Sequence, residues 1–566
     1  MQQTGSQILF TALKEENVDT LFGYPGGCVM DIYDEMFRQK LRHILVRHEQ
    51  GAIHAADGYA RASGRVGVCL VTSGPGATNT VTGIANAYMD SIPVVVLTGQ
   101  VSTALIGSDG FQEVDITGIT RTCTKHNFLV RNIGDLQRTI REAFQIARSG
   151  RPGPVLVDLP KDVIQSVAEA ELSRNAPPPE EEGCPDLEGL CNEALKMILQ
   201  AKKPLIIVGG GVILGKASAI FRAFVKKFQI PVVSTLMGLG AFPASDPLWT
   251  GMLGMHGAYS ANMAVSQCDL LMAIGVRFDD RATSKVSAFA PNARIIHIDI
   301  DPVSIDRIVR TDLAIVSHCT PALNALHRLS DEQGLELPEQ QIGAWHNQLR
   351  QWKAEKPLSY CRNQNIKPQY VIEQLHQLTQ GRAIIATEVG QHQMWAAQFY
   401  RFDEPNAFLT SGGLGTMGFG LPAAIGAQIA CPDRVVVDVA GDGSIQMNIQ
   451  ELGTIAHYGL PVKVVILNNL YLGMIRQWQE LFYGRRYSQS DMTQAPDFVK
   501  LAEAYGIKGL RATKPEEVKS VLQEGLETPG PVVMDFQVEP EENVFPMVKP
   551  GTPLSEMSFG NVRAVA

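Results

Sequence analysis

Gly441-Asp442-Gly443-Ser444 and Asn468-Asn469 carry the clearest chemical signal in the chain. Each follows an apolar, β-branched run, at residues 435–440 and 464–467, of the kind that forms parallel strands buried on both faces. Residues that end such strands lie along the edge where open α/β sheets bind ligands. Glycine at that edge lets the backbone approach a diphosphate, while Asp442 offers a hard carboxylate oxygen and Asn469 a neutral amide oxygen. That donor set suits a divalent cation, magnesium, holding a diphosphate. A lone Gly-Asp-Gly is usually only a turn. The helix-like stretch 449–457 between two strand ends, and the paired asparagines, lift this one above that background.

Other strand-like runs must position these residues. A first block carries them at 66–71, 94–97 and 155–158, a second at 205–208, 270–274 and 295–298, and a third at 384–386 and 532–536 besides the two metal-site runs. Strands alternating with helical stretches predict an α/β protein of three domains, each with a central, mostly parallel sheet flanked by helices. The expected boundaries are 1–165, 189–330 and 368–545. Between them lie linkers at 166–188, which holds Pro177-Pro178-Pro179-Glu180-Glu181-Glu182, and at 331–367, polar and glutamine-rich. The tail, 546–566, reads as a disordered end or a lid. No internal sequence repeat is visible, so kinship between the first and third blocks would be structural.

A length of 566 residues suits about three domains. With 45% hydrophobic and 19% charged residues the composition is that of a globular protein. The net charge of -9, with no basic block, argues against nucleic acid. The apolar runs are strand-sized, which argues against a membrane span, and the amphipathic start at Ile8, Leu9, Ala12 and Leu13 reads as domain structure without a leader. Nine scattered cysteines without Cys-x-x-Cys spacing fit reduced thiols in the cytoplasm.

Several further segments could do chemistry. Glu49 opens a small-residue helical stretch, where a carboxylate complements the helix dipole or serves as an acid. Tyr24-Pro25-Gly26-Gly27 and Thr72-Ser73-Gly74-Pro75-Gly76-Ala77-Thr78-Asn79 are glycine turns. Gly209-Gly210-Gly211 follows a strand and either contacts phosphates or only turns the chain. Asp299 lies where an acid could bind a ribose or another polar cofactor edge.

The Gly-Asp-Gly and Asn-Asn pair, at this spacing, resembles the signature of the thiamine diphosphate enzymes, and the likeness covers nearly the whole chain. It implies a pyrimidine-binding, a central and a diphosphate-binding domain in that order. The metal ligands would be Asp442, Asn469 and a main-chain carbonyl at Tyr471. Glu49 would be the carboxyl group that relays a proton to the aminopyrimidine of thiamine diphosphate, a role favoured by burial of its neutral form. Pro25, Gly26, Gly76 and Asn79 would border that ring. Val389, Gly390, Gln391, His392, Gly415, Gly443, Ser444 and Met474 would hold the rest of the cofactor, with Met417 propping it into a bent shape.

Phe111-Gln112-Glu113 and Leu159-Pro160-Lys161-Asp162 narrow the likeness to the acetohydroxyacid (acetolactate) synthases, where Phe111, Gln112 and Lys161 would line the active-site entrance. In that group the middle block binds FAD without a net redox role. Gly209, Gly210, Gly211, Leu253, Gly254, Met255, His256, Gly275, Arg277, Asp279, Arg281, Asp299 and Ile300 would contact it, and Arg151 would do so at the domain junction. Trp478 would shape the pocket for the second substrate and Arg277 bind its carboxylate, an indole wall and a guanidinium fork suiting a methyl group and a planar carboxylate. The implied reaction decarboxylates pyruvate and ligates the hydroxyethyl carbanion to a second 2-oxo acid, pyruvate or 2-oxobutyrate, at the start of branched-chain amino-acid synthesis. A homodimer or homotetramer, with Glu49 of one chain facing Asp442 of another, and a small regulatory subunit are the implied partners. A flavin-dependent pyruvate oxidase, a flavin-free catabolic acetolactate synthase and a non-catalytic nucleotide-binding scaffold are the competing readings.

Overall fold

The computed structural model describes residues 2–169 and 183–560, so the run 177–182 lies outside the described residues. The chain builds three six-stranded sheets, every pairing within them parallel. The first contains β1 (Thr20–Gly23), β2 (Arg42–Leu45), β3 (Gly67–Val71), β4 (Val94–Gln100), β5 (His126–Leu129) and β6 (Val155–Pro160), in the order β2-β1-β3-β4-β6-β5. The second contains β7 (Pro204–Val208), β8 (Val232–Ser234), β9 (Trp249–Met252), β10 (Leu270–Ile274), β11 (Arg294–Asp299) and β12 (Leu313–Val316), in the order β9-β8-β7-β10-β11-β12. The third contains β13 (Ile384–Thr387), β14 (Phe408–Leu409), β15 (Val436–Gly441), β16 (Lys463–Asn468), β17 (Lys508–Ala512) and β18 (Val532–Gln537), in the order β14-β13-β15-β16-β18-β17.

The apolar runs are the central strands. All seven residues of β4 and all six of β15 and of β16 are buried, because helices cover both faces of each sheet. Strands that the sequence did not announce, such as β2, β5 and β17, lie at sheet edges and mix polar or charged with apolar residues.

The first and third sheets share one strand order, so the kinship invisible in sequence is present in structure. Equivalent helices of the two blocks, Glu49–Ser63 after β2 and Gly420–Ala430 after β14, pack against each other. A Cβ on Gly58 would lie 2.2 Å from the Ala423 carbonyl oxygen, and one on Gly426 would lie 1.9 Å from that of Ala55. Glycine is required at both positions by this backbone approach.

Two stretches differ from expectation. Within 331–367, Glu339–Glu355 is a helix whose Ile342, Trp345, Leu349 and Trp352 are buried against the second block. Four large apolar residues at helical spacing outweigh the polar composition there. The described part of the tail, 546–560, is packed and does not line the central cavity. Met547–Val548 pairs antiparallel with Met557–Ser558, Val548 and Leu554 join the second block's core, and the Val548 N–H bonds the Met255 carbonyl at 2.8 Å.

Candidate active site

Asp442 directly follows β15, and Asn469 directly follows β16, on paired neighbouring strands. The Asp442 side chain is buried, yet neither carboxylate oxygen has a hydrogen-bond partner. Burial pushes its carboxyl up to about 7; nearby backbone amides of its own position, Asn469 and Leu470 pull the other way without reaching hydrogen-bond geometry. A buried, unpartnered carboxylate is costly unless a cation compensates it, so this site fits a divalent metal. Asn469 turns its amide inward: its Oδ1 accepts the Tyr471 N–H at 3.1 Å and its Nδ2 donates to Gln391 Oε1 at 3.1 Å. Leu470 between them takes a left-handed conformation (φ 59°), which sets Tyr471 beside the same edge.

The expected diphosphate residues gather around this point. A Cβ on Gly443 would meet Leu472 at 2.5 Å, and one on Gly441 would meet the His392 ring at 2.6 Å, so both glycines answer to close packing. His392 is buried, burial holds its pKa down to about 3, and its Nε2 lies 3.4 Å from Ser444 Oγ. Beneath them Glu388 accepts the N–H groups of Gly418 (2.5 Å) and Leu421 (3.1 Å), which fixes the turn carrying Gly415 and Met417. Glu388 is pushed up to about 8 by burial, and its buried neighbour Asp438 is raised as well, first by burial and then by Glu388.

A cavity of about 810 Å³ joins the third block to the second. Its walls include Val389, Gly390, Gly415, Met474 and Trp478 on one side, and Gly210, Gly211, Leu253, Met255, His256, Gly275, Arg277, Asp279, Arg281, Asp299 and Ile300 on the other, with Arg151 from the first block. The second sheet has the order in which dinucleotides bind at the switch between the first and fourth strands, here the ends of β7 and β10. Gly209 and Gly211 meet Gly275 there: Cβ atoms on them would lie 2.1 Å from its carbonyl oxygen and 2.6 Å from its Cα. Gly209 is absent from the cavity wall, so packing of the two loops accounts for it. Gly254 lies behind the wall, its N–H and carbonyl both bound by the Asn262 amide at 2.8 and 2.9 Å.

Arg151 donates to Ser91 Oγ at 2.8 Å and to Asp301 at 3.3 Å, tying the first block to the second. Asp299 is buried and pushed up to about 6, while its Oδ1 accepts the Asp301 N–H at 2.9 Å. Arg277 lies in the same cavity as Trp478, and burial first, then Arg151, lowers its pKa.

The remaining candidates form a separate group. Glu49 accepts the Asn79 amide at 2.9 Å, and Gly76 is close enough that its Cβ would lie 3.6 Å from Glu49 Oε1. Gly26 and Gly76 both press on Thr72, Pro25 is half-buried beside them, and Gln112 packs over Gly74. Phe111 is 89% exposed, and Lys161 begins the short helix after β6. None of these lines the cavity. Asp442, Asn469 and Tyr471 do not line it either, although Val389, Gly390 and Met474 beside them in the third block do.

Sequence reasoning missed several wall residues: Asp90, Ser91, Met237, Lys216, His318 and Cys319. Asp90 had a signal only in retrospect. It accepts the N–H groups of Gly412 (3.1 Å) and Gly413 (2.7 Å) from the third block and the Arg61 guanidinium at 2.8 Å, partners that lie far from it in sequence.

Residues 3–119, 191–326 and 388–536 match the N-terminal TPP binding domain, the central domain and the C-terminal TPP binding domain of the thiamine pyrophosphate enzymes. Among curated proteins, the acetolactate synthase isozyme 3 large subunit of Escherichia coli (strain K12) is 49% identical, with 98% of each chain covered. The acetolactate synthase large subunit of Haemophilus influenzae is 47% identical with 98% of each covered, and that of Cyanidium caldarium is 47% identical over 98% of this chain and 96% of its own.

Proposed function

The chain belongs to the thiamine pyrophosphate enzymes, in the acetolactate synthase large-subunit family, and from that premise we propose how its residues divide the work. The reaction is carboligation: pyruvate loses carbon dioxide and its two-carbon remainder joins a second 2-oxo acid, giving 2-acetolactate when that acid is pyruvate. Thiamine diphosphate, when bound, supplies the carbon nucleophile and the electron sink for decarboxylation.

The observation that carries the residue assignments is the buried, unpartnered Asp442 carboxylate beside Asn469 at adjoining strand ends. Asp442, Asn469 and the Tyr471 carbonyl would hold magnesium, and Gly443 and Ser444 would border the diphosphate. Glu49 exchanges a proton with the aminopyrimidine. Arg277 orients the carboxylate of the acceptor acid, and Trp478 walls off space that fits the extra methyl group of 2-oxobutyrate. FAD occupies the second-block part of the cavity in a non-redox role, supported by the strand order of that sheet. We keep the domain limits 1–165, 189–330 and 368–545, a division supported by the three sheets, with the helix Glu339–Glu355 added to the second block on which it packs.

Glu49, held by Asn79 in the first block, and Asp442, at the end of β15 in the third, are read as meeting across a homodimer or larger even assembly in which a second copy completes each site. A small regulatory subunit remains part of this reading. Among the described residues no helix is long and apolar enough to cross a membrane. The scattered free cysteines suit the reducing cytoplasm.

Purified protein assayed for acetolactate from pyruvate, with and without thiamine diphosphate and magnesium while the flavin spectrum is recorded, tests this. Product dependent on both additions, with flavin staying oxidised, is expected. Flavin bleaching by pyruvate without acetolactate would move the assignment to an oxidase.

A further inference from the structure

Glu451 is a fully buried carboxylate of the third block whose backbone partners lie in the first. It ends the 3-10 segment Ile445–Glu451, which follows Asp442-Gly443-Ser444 directly. Its Oε1 accepts the N–H groups of Arg47 at 3.0 Å and His48 at 3.1 Å, and its Oε2 lies 3.3 Å from the Arg47 nitrogen. Those are the two residues immediately before Glu49. The Thr454 hydroxyl donates to Oε2 at 2.5 Å and orients the carboxylate from behind.

The surrounding contacts grip the same stretch. The Leu45 N–H donates to the Tyr458 hydroxyl at 2.8 Å, that hydroxyl lies 3.3 Å from the His43 carbonyl, and the Arg47 guanidinium reaches the Gly453 carbonyl at 3.3 Å. His48 caps the helix that Glu49 begins, its Nδ1 accepting the Gln50 N–H at 3.1 Å. Two residues into that helix, a Cβ on Gly51 would lie 2.5 Å from Glu451 Oε1. The carboxylate thus fills the space a side chain at 51 would take, and an anion there also complements the helix N-terminus.

We propose that Glu451 is a positioning residue for Glu49: by holding the Arg47 and His48 amides it fixes the backbone from which the Glu49 carboxyl is aimed, and so sets the efficiency of proton relay rather than the binding of substrate. The proposal rests on the reading of Glu49 as the proton relay. A bond network serving only to join the blocks would change stability when broken; a positioning residue changes kcat and leaves KM alone. Misplacing a reacting group by about 1 Å costs roughly 100-fold in rate.

The test uses the holoenzyme with four single variants, Glu49→Gln, Glu451→Gln, Glu451→Asp and Gly51→Ala, together with the Gly51→Ala/Glu451→Gln double. Glu451→Gln is expected to lower kcat roughly 10- to 100-fold with KM for pyruvate within about 3-fold. Without cofactors, amide hydrogen exchange at Arg47 to Gln50 should accelerate. Glu451→Asp, which keeps the charge on a shorter arm, should recover part of the loss. Alanine ordinarily favours a helix over glycine, yet Gly51→Ala should slow turnover as Glu451→Gln does, because its methyl group displaces the carboxylate. The double variant should be no slower than the worse single one.

Normal kcat in Glu451→Gln beside an inactive Glu49→Gln would overturn this proposal alone. So would a kcat loss with unchanged exchange at 47–50, or fully additive losses in the double. Near-normal turnover by Glu49→Gln would instead remove the reading beneath it. Gly51→Ala carries the test if the glutamine variant does not fold.

Discussion

The buried Asp442 carboxylate is costly to the chain on its own, a cost that the proposed magnesium would offset. Among the described residues its two buried oxygens have no donor, so replacing it with alanine should abolish magnesium-dependent binding of thiamine diphosphate, read by calorimetry, while leaving the cofactor-free protein at least as stable to heat. Trp478 and Arg277 share the cavity; Trp478→Leu should lower the fraction of 2-aceto-2-hydroxybutyrate formed when pyruvate and 2-oxobutyrate compete, with acetolactate formation retained. An unchanged product ratio would remove Trp478 from specificity. Buried histidines give a pH dependence of known sign. Burial holds His43 and His256 down to about 4 and His54 to about 3, below the ordinary 6.5. The unfolded chain therefore binds these protons first, and their contribution to stability is complete above about pH 6.5 and lost as pH falls toward 4. The buried carboxyls Asp299, Asp442 and Glu388, raised by burial, act with the opposite sign over the same range, so the histidine part is read by difference: the gap in urea midpoint between the protein and a His54→Gln variant should shrink from pH 7.5 to 5, and a constant gap would contradict it.

The central strands β4, β15 and β16 were legible as elements because β-branched runs at that length admit little else, and the residues at their ends were legible because glycine, aspartate and asparagine stand out after such runs. Edge strands were not, since β2 and β5 depend on a neighbour rather than on their own pattern. The helix Glu339–Glu355 escaped notice because its buried face is four residues in a polar background. Glu451 and Asp90 escaped for another reason: each acts on backbone amides hundreds of positions away, and amides leave no mark in a sequence. The crossing of Glu49–Ser63 with Gly420–Ala430 depends on glycine at 58 and 426. Gly426→Ala should destabilise the protein by about 1–3 kcal/mol, since the added atom would meet the Ala55 carbonyl oxygen. Unchanged thermal unfolding would mean that the two helices can separate freely.

At the scale of the whole molecule, the first and third blocks are two versions of one sheet order, and the proposed function assigns each of them half of a site. If a second copy completes each site, two inactive variants should rescue one another: chains with Glu49→Gln refolded with chains carrying Asp442→Ala would form mixed dimers with one intact site. Activity should rise to about a quarter of wild type with random pairing, half of the dimers each holding one of two sites intact. No recovery would place Glu49 and Asp442 of the same chain in one site. The helix crossing that joins the blocks has a further consequence for how the protein is made. Ser63 and Gly420 are separated by more than 350 residues, so the small-residue face of the first helix waits for a partner synthesised much later. At about 5–20 residues per second, the nascent chain carries that face uncovered for roughly 20–70 s.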